Sequence, residues 1–223
     1  MPFLRLYLLR HGQTASYDAI TFNGWLDVDL SDLGRRQLDQ TVSALKGQRI
    51  DAVYSSDLRR AVYGGSALAR ELGLTLRVEP KFKEINFGLC EGLTYEEMKV
   101  KYADVAGRLV RPDGGDFQFP GGEGAEGFRA RIREALTALK KSHPEGCVAL
   151  YCHAGVCRAI LAEALGLDNT QMWGLSQDHA CLNVIDFFPT GGAMVRLVNG
   201  DLGPTGYNRP GPGYDRLTYL AKA

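Results

Sequence analysis

Two histidines directly follow two of the most hydrophobic stretches of the chain. Phe3–Leu9 is aliphatic and aromatic and leads into Arg10 and His11, and Cys147–Cys152 leads into His153. Short apolar runs of this kind are typical of buried strands in a parallel sheet, whose carboxyl ends bind ligands. Both imidazoles and the arginine are therefore expected at one sheet edge, where they could hold an anion. Taken alone, a histidine beside an arginine is more often a satisfied core or surface residue.

Other residues could act on the same anion. Gly12 lets the backbone approach a ligand without a Cβ in the way. Arg59 and Arg60 lie in the first turn of a predicted helix, where the helix dipole disfavours cations, so a bound anion would explain an arginine there; a solvated pair is the alternative. Glu84 and Glu91 lie among apolar and glycine neighbours. Such surroundings favour a protonated carboxyl, as a general acid requires, although a salt-bridged loop glutamate fits equally.

Short apolar stretches and amphipathic stretches alternate along the rest of the chain. The predicted strands are Phe3–Leu9, Asp51–Ser55, Leu74–Val78, Cys147–Cys152, Cys181–Phe188 and Ala193–Val198. The predicted helices run from Ser31 to about Lys46, from Ser56 or Asp57 to about Leu72 and from Thr94 to about Ala106, and another carries Phe128, Ile132, Leu136 and Leu139. This alternation predicts an α/β fold with parallel strands. On the last of these helices, Arg129, Arg131 and Arg133 are expected to form a mostly solvated face.

The composition limits the class of protein. The 223 residues are 45% hydrophobic, and Lys plus Arg equals Asp plus Glu at 26 each. This balance gives no reason to expect nucleic acid or a membrane as a partner, and no stretch reaches the ~18 apolar residues of a membrane helix, so a cytoplasmic protein is expected. The odd number of cysteines predicts reduced thiols. Because no Cys-x-x-Cys pair completes a zinc site around His153, no metal is expected.

Five short motifs follow one another along the chain. They are Leu9-Arg10-His11-Gly12-Gln13-Thr14, Tyr54-Ser55-Ser56-Asp57-Leu58-x-Arg60-Ala61, Glu84-Ile85-x-Phe87-Gly88-x-x-Glu91-Gly92, Pro120-Gly121-Gly122-Glu123 and His153-x-Gly155-Val156. In this order they resemble the histidine phosphatase superfamily, also called the phosphoglycerate mutase-like family. The resemblance implies a three-layer α/β/α sandwich with a mostly parallel central sheet over residues 1–200, without cofactor or metal. Residues 201–223 are expected to form a separate segment rich in glycine and proline.

The resemblance also implies roles for residues at the sheet edge. His11 would be the nucleophile that takes the phosphoryl group, and Arg10, Arg60 and His153 would surround the phosphoryl oxygens. Glu84 would protonate the leaving oxygen and then activate water. The chemistry of these residue types agrees, because phosphoryl transfer depends on positioning and on positive charge around the equatorial oxygens. A neutral imidazole can form a covalent intermediate that divides one difficult displacement into two easier ones.

The predicted phosphate contacts depart from the family pattern at several positions. Tyr17 stands where relatives have an asparagine that helps to hold phosphate, so Gln13 or Asn23 is expected to replace it. Gly24 follows Asn23 and is included in the predicted binding set. Ala154 replaces the usual glycine after the second histidine, and its backbone N–H could still meet the phosphate.

Phosphatases and mutases of this family share one centre and differ around it. The mutases carry a longer insertion with paired arginines for the phosphoglycerate carboxylate, whereas Arg108 and Arg111 are single here. The resemblance therefore favours a phosphomonoester hydrolase acting on a small phosphorylated metabolite, with a layout similar to α-ribazole phosphatases and broad-specificity phosphatases. Mutase-type phosphoryl transfer is the alternative. A homodimer is compatible with this layout.

Two further hypotheses use the same residues differently. Cys152-x-x-Gly155-x-x-Arg158 has the spacing of the Cys-x5-Arg loop of cysteine-dependent phosphatases and lies between a predicted strand and a helix. This hypothesis leaves the residues around the first histidine without a role. A module that binds a phosphoryl ligand without turnover would retain the pocket, and it would show phosphate binding in the absence of activity.

Overall fold

The computed structural model describes residues 3–16, 21–110 and 118–202. Its strands are β1 (Leu4–Arg10), β2 (Ala52–Ser55), β3 (Leu76–Val78), β4 (Gly146–Cys152), β5 (Leu182–Phe187) and β6 (Ala193–Gly200). Its helices are α1 (Asp32–Leu45), α2 (Arg59–Glu71), α3 (Tyr95–Lys101), α4 (Ala103–Val110), α5 (Ala125–Ser142) and α6 (Ala154–Leu165). Each strand predicted from the sequence is present, with ends shifted by a residue or two.

The first strand lies inside the sheet. The strand order is β3-β2-β4-β1-β5-β6. The β1–β4, β4–β2 and β2–β3 pairs are parallel, whereas the β1–β5 and β5–β6 pairs are antiparallel. In the β1–β4 register Arg10 lies opposite Cys152, so His11 and His153 leave the sheet at neighbouring positions. The predicted mostly parallel sheet, with both histidines at one edge, is confirmed.

Alternate residues of β1 enter two separate hydrophobic cores. The core on one face contains Leu4, Leu6 and Leu8 with Phe128 and Ile132 of α5 and Ile160 of α6. The core on the other face contains Tyr7 and Leu9 with Leu38 and Leu45 of α1 and Leu68 of α2. Because successive side chains of a strand point to opposite faces, a strand with apolar residues on both faces needs helices on both sides. The three-layer α/β/α sandwich is therefore confirmed.

Two glycines bring the loop after β1 against the start of α1. A Cβ at Gly12 would lie 2.2 Å from the carbonyl oxygen of Gly34, and one at Gly34 would lie 2.0 Å from the carbonyl oxygen of Gln13. Ser31 caps the helix as predicted, since its Oγ accepts from the Gly34 N–H at 3.0 Å. The absence of a Cβ at Gly12 thus admits a neighbouring helix turn, and this contact fixes the backbone that carries the first histidine.

A second glycine pair brings α2 close to the sheet. A Cβ at Gly64 would lie 2.5 Å from the ring of Tyr151, and one at Gly65 would lie 2.9 Å from Leu76. Glycine weakens a helix interior by about 1 kcal/mol relative to alanine. Here that cost allows a large aromatic ring of β4 to pack directly under the helix, where the Tyr151 hydroxyl lies 2.8 Å from Thr41 Oγ1 of α1.

Two helix predictions need correction. The second helix was expected to begin with Ser56 or Asp57 as its cap, but its N-cap is Leu58, with no side-chain cap hydrogen bond. The two polar side chains have other partners, because Ser56 Oγ lies 2.7 Å from His153 Nε2 and Asp57 forms an ion pair with Lys83 at 2.8 Å. The helix predicted from Thr94 is divided into α3 and α4.

Several sequence predictions fall outside the described residues. They concern Tyr17, Arg111 and most of the segment 201–223. The division of the chain at residue 200 therefore stays a prediction. In the part of the chain that the structure describes, no helix is both long enough and apolar enough to cross a membrane.

Candidate active site

The two predicted histidines lie together at the carboxyl end of the parallel strands. The ring centroids of His11 and His153 are 5.2 Å apart. The backbone of His11 is held on both sides, since its N–H donates to the Cys152 carbonyl and its carbonyl accepts from the Ala180 N–H, each at 3.0 Å. A third imidazole, that of His179, has its centroid 5.7 Å from that of His11. Backbone pairing thus fixes the first imidazole beside the other two.

The hydrogen bond of His11 defines its tautomer. Its Nδ1 lies 2.7 Å from the carbonyl oxygen of Gly12. A carbonyl oxygen can only accept, so Nδ1 carries the proton and donates it to that bond. In the neutral ring the lone pair is then on Nε2. This arrangement leaves Nε2 able to attack an electrophile.

Burial and neighbouring cations keep the imidazoles neutral. Burial, followed by the charges of Arg60 and Arg10, holds the pKa of His11 well below its ordinary value of 6.5. The same causes, in the same order, lower the pKa of His153. Burial and then Arg10 lower the pKa of His179. Both arginine charges therefore act at the position of the histidine pair, and the imidazoles are uncharged at neutral pH.

Arg10 is held by the loop that precedes β5. Its Nη1 donates to the Gln177 carbonyl at 2.7 Å, and its Nη2 lies 2.9 Å from His179 Nε2. Because a guanidinium has no acceptor, His179 Nε2 must be the acceptor in that contact. Two of the arginine nitrogens are thus used for orientation, and Nε is buried without a hydrogen-bond partner among the described residues.

Arg60 is buried and held by the loop around Gly24. Its side chain enters from the first turn of α2, and the residue is only 1% exposed. Its Nη2 donates to the Gly24 carbonyl at 2.6 Å and its Nη1 to the Leu26 carbonyl at 2.7 Å. Burial lowers the pKa of Arg60 to about 10, so the guanidinium stays charged at neutral pH. The carboxylates of Glu84, Asp27 and Glu91 act on this charge without forming a hydrogen bond to it that the structure shows, and its direct partners are two neutral carbonyls.

Buried side-chain nitrogens of the two arginines and of the second histidine have no hydrogen-bond partner in the described part of the chain. Within residues 3–16, 21–110 and 118–202 they are Arg10 Nε, Arg60 Nε and His153 Nδ1. A buried polar group without a partner costs about 1–3 kcal/mol. Their presence is accounted for if an anionic ligand accepts from them. With the positive charges of Arg10 and Arg60, these groups make the site a candidate for binding an anion.

Glu84 contacts the turn that carries the second histidine. Its Oε2 accepts from the Gly155 N–H at 3.0 Å, in the first turn of α6, and its Oε1 accepts from its neighbour Ile85 at 2.9 Å. A Cβ at Gly155 would lie 2.3 Å from Glu84 Oε1, so the glycine makes room for the carboxyl. Glu91 instead accepts from the Trp25 N–H at 2.7 Å, which ties two loops together. Of the two candidate carboxyls, Glu84 is the one that contacts the turn directly after His153.

The remaining predicted binding residues differ in whether they contact a residue of the site. The Gly24 carbonyl accepts from Arg60. Asn23 Nδ2 donates to Ser16 Oγ at 3.0 Å. Gln13 lies toward the start of α1, where its Oε1 accepts from Ser31 Oγ at 2.7 Å. Ala154 is the first residue of α6.

The local structure argues against a cysteine nucleophile. Cys152 is the last residue of β4, and helix α6 begins two positions later, so no loop surrounds its sulfur. Cys152 is fully buried, with its Sγ 3.6 Å from that of Cys157. Arg158 donates to the Leu175 carbonyl at 2.8 Å and lies over the Trp173 ring. The guanidinium therefore faces the 173–175 turn.

Some contacts of the site were missed by the sequence analysis. Gln177, whose carbonyl accepts from Arg10, was not assigned a role, and Ser56, whose Oγ lies beside His153 Nε2, was predicted only as a helix cap. In both cases the partner is distant in sequence. The expected solvated face of α5 is wrong for Arg131, which forms an ion pair with Glu123 at 2.7 Å. That pair joins the Pro-Gly-Gly-Glu motif to the helix. The glutamate of this motif was the sequence feature that could have indicated a partner for Arg131. Arg133 is half exposed, as expected.

Acidification should destabilise the fold through the three buried imidazoles. The pKa values of His11, His153 and His179 are all lowered, so below about pH 6.5 the unfolded chain binds protons that the folded chain does not. The free energy of unfolding should then decrease by up to about 1.4 kcal/mol per pH unit for each imidazole. Urea unfolding midpoints at about pH 7.5 and about pH 5.5 measure this. The His179→Asn variant should lose less stability between these pH values than the wild-type protein, because one of the three imidazoles is absent. Equal losses in the two proteins would show that His179 does not contribute to the pH dependence.

Comparison with known proteins agrees with this geometry. A family model described as the histidine phosphatase superfamily (branch 1) matches residues 6–200. Phosphoserine phosphatase 1 of Hydrogenobacter thermophilus is 29% identical over 194 residues, covering 87% of this chain and 92% of that protein. The glucosyl-3-phosphoglycerate phosphatase of Mycobacterium tuberculosis is 34% identical over 172 residues, covering 73% of this chain and 76% of that protein.

Solved structures show the same fold. The native structure of mycobacterial glucosyl-3-phosphoglycerate phosphatase has a TM-score of 0.77 at 28% identity, covering 88% of this chain and 98% of that chain. The α-ribazole phosphatase of Shigella flexneri has a TM-score of 0.80 at 23% identity, with 88% and 96% covered, and this likeness concerns the fold alone. With the family match over nearly all of the described residues, the chain belongs to branch 1 of the histidine phosphatase superfamily and is a phosphatase that hydrolyses phosphoric monoesters.

Proposed function

We propose that this phosphatase hydrolyses a small phosphorylated metabolite through a phosphohistidine formed on His11. The observation that carries the proposal is the neutral imidazole of His11, whose Nδ1 donates to the Gly12 carbonyl and whose Nε2 keeps its lone pair. This nitrogen lies where the charges of the buried Arg60 and the partly buried Arg10 act. Such an arrangement supports attack on a phosphorus atom whose oxygens bind to Arg10 and Arg60.

The first half of the reaction transfers the phosphoryl group. The Nε2 lone pair of His11 forms the bond to phosphorus while the bond from phosphorus to the leaving oxygen breaks. Glu84, in its protonated form, gives its proton to that oxygen, so an alcohol leaves instead of an alkoxide. Arg10, Arg60 and His153 hold the three equatorial oxygens, on which charge resides in the transition state.

The second half returns the enzyme to its starting state. Water replaces the alcohol, and the Glu84 carboxylate takes a proton from it as the oxygen attacks phosphorus. The bond from phosphorus to Nε2 breaks, inorganic phosphate leaves, and His11 regains its lone pair. Glu84 is again protonated. The contact of this carboxyl with the Gly155 N–H, beside His153, supports a single group acting in both steps.

The substrate is proposed from the relatives. The names of the two relatives specify phosphoserine and glucosyl-3-phosphoglycerate, which are phosphate esters of alcohols. An alcohol is a poor leaving group and needs a proton donor, which agrees with the proposed role of Glu84. A small phosphate ester of an alcohol is therefore the proposed substrate class.

A cytoplasmic location and a homodimer are also proposed for this protein. Light scattering after size-exclusion chromatography measures the mass of the particle and so checks the homodimer.

A panel of phosphate esters tests the proposal. Phosphoserine, glucosyl-3-phosphoglycerate, α-ribazole phosphate, 3-phosphoglycerate and p-nitrophenyl phosphate are incubated with the enzyme in excess EDTA, and released inorganic phosphate is measured. We expect phosphate release from at least one alkyl ester, with a rate that the chelator leaves unchanged, because the arginines and imidazoles supply the positive field. Isomerisation of 3-phosphoglycerate without phosphate release would instead indicate a mutase. Phosphate binding without turnover of any ester would indicate a binding module.

A further inference from the structure

Every N–H group of the Arg131 guanidinium is used in holding two neighbouring loops. Its Nη1 donates to the carbonyls of Lys81 and Lys83, at 2.7 and 2.8 Å, and its Nη2 donates to the Glu84 carbonyl at 3.1 Å. Its Nε and Nη2 donate to Glu123 Oε1 and Oε2, at 2.8 and 2.7 Å. A guanidinium has five N–H donors in a fixed plane, so all of them are satisfied.

The carboxylate of Glu123 holds the other end of the same loop. Residues 81–86, here called the acid segment, carry Glu84. Glu123 Oε2 accepts from the Asn86 N–H at 2.9 Å, and the Glu123 N–H donates to the Asn86 carbonyl at 2.9 Å. Gly122 permits this approach, because a Cβ there would lie 2.3 Å from the Asn86 carbonyl oxygen. The ion pair therefore holds the acid segment on both sides of the carboxyl.

The ion pair is shielded enough to act as a rigid support. The side chains of Arg131 and Glu123 are 17% and 20% exposed. Bidentate, charge-assisted hydrogen bonds of this kind fix orientation as well as distance. Trp25 adds a further donor from the opposite loop, since its Nε1 donates to the Glu84 carbonyl at 2.8 Å. The backbone of Glu84 is thus bonded to two elements, while its carboxyl reaches the first turn of α6.

We infer that Arg131, together with Glu123, is a positioning residue. It holds the Glu84 carboxyl where that group can give its proton to the leaving oxygen of the substrate. This inference rests on the proposed role of Glu84 as general acid. Arg131 itself bonds to backbone carbonyls and to a carboxylate, and it acts on the reaction through Glu84. Removing the planar fork leaves the nucleophile and the arginines around the phosphoryl group in place. The loss of rate in an Arg131 variant should therefore be largest for substrates whose leaving group must be protonated.

Arg131→Lys tests the inference with two substrates. A lysine ammonium has three donors on a flexible stem and cannot reproduce the planar five-donor contact. The readout is kcat/KM, which reports transfer of the phosphoryl group to His11 and not the later hydrolysis, in which Glu84 acts as base for every substrate. With an alkyl phosphate, kcat/KM should fall by about tenfold to a hundredfold, as expected when a catalytic group is displaced by about an ångström. With p-nitrophenyl phosphate, whose phenolate leaves without a proton, kcat/KM should fall less than about threefold. A merely structural role would lower both rates equally.

Arg129→Lys is the matched control on the same helix. Arg129 also donates to a backbone carbonyl, that of Leu167, at 3.0 Å and to Asn169 Oδ1 at 2.7 Å, but these partners lie after α6. The ratio of the two rates should stay at the wild-type value in this variant. If Arg131→Lys fails to fold, Glu123→Gln and Trp25→Phe, which weaken other bonds of the acid segment, should shift the ratio in the same direction.

The combination with Glu84→Gln separates the two proposals. When Glu84 is already replaced, adding Arg131→Lys should cause no further selective loss on the alkyl ester, because the positioned group is absent. A selective effect of Glu84→Gln without one of Arg131→Lys would overturn the inference and leave the acid assignment intact. Equal losses on both substrates in Glu84→Gln would remove the acid assignment and the inference with it.

Discussion

His11→Ala should lower the rate of phosphate release by about four orders of magnitude or more, because the variant lacks the atom that forms the covalent bond. Enzyme quenched rapidly during turnover should contain a phosphoramidate that is labile in acid and stable in base, and the variant should contain none. Measurement of radiolabelled phosphate bound to the quenched protein, with acid and alkaline treatments, checks both points. Loss of the labelled species together with activity would support attack by Nε2.

Cys152→Ser is the control for the nucleophile. A buried hydroxyl costs stability relative to a thiol, so this variant should unfold more easily. Its turnover should remain substantial, because Cys152 is fully buried beside Cys157. The opposite pattern, with an inactive Cys152→Ser, a partly active His11→Ala and inactivation by iodoacetamide that phosphate prevents, would favour the cysteine mechanism.

Glu84→Gln should discriminate between leaving groups. General acid catalysis contributes typically ~10²–10⁴-fold, and an alkyl phosphate should lose a factor of this size, because an alcohol must leave with a proton. With p-nitrophenyl phosphate the loss should be much smaller, since a nitrophenolate is stable without one. Steady-state kcat/KM for both substrates provides the measurement, because it reports the step in which the leaving group departs and not the shared hydrolysis of the phosphohistidine.

Glu91→Gln is the matched control for the general acid. Glu91 accepts hydrogen bonds from the N–H groups of Trp25 and Phe87, at 2.7 and 3.3 Å, so its replacement should loosen these loops and lower both rates to a similar extent. Equal losses on the two substrates in Glu84→Gln, with a selective loss in Glu91→Gln, would transfer the acid role to Glu91.

The fold was largely accessible from local sequence patterns. The apolar runs that became β1 and β4 end at histidines, and parallel strands bring their carboxyl ends to one edge. This is why the sequence alone predicts His11 and His153 as neighbours. Ser31 as the cap of α1 follows from local hydrogen bonding alone. Such predictions succeed because strand burial and helix capping depend on residues close in sequence.

The unpredicted features depend on contacts between distant parts of the chain. Arg131 lies on a helix whose periodicity separates apolar from polar positions, but periodicity cannot reveal that carbonyls of another loop lie beside a polar position. The same holds for Gly64, which makes room for Tyr151, and for His179, which accepts from Arg10. Each role appears only when two backbone segments have been placed against each other.

The place of β1 inside the sheet has a consequence for synthesis on the ribosome. This strand is made before both of its neighbours, and Arg5 must wait for Asp186, 181 positions later, to complete its ion pair. Until then an almost wholly apolar strand has no sheet partner, which exposes the nascent chain to aggregation and to chaperones. The loop before β5 also supplies Ala180 to His11. The pairing of β1 with β5 and the assembly of the candidate active site therefore depend on the same late part of the chain, so a translation product truncated before it would lack both.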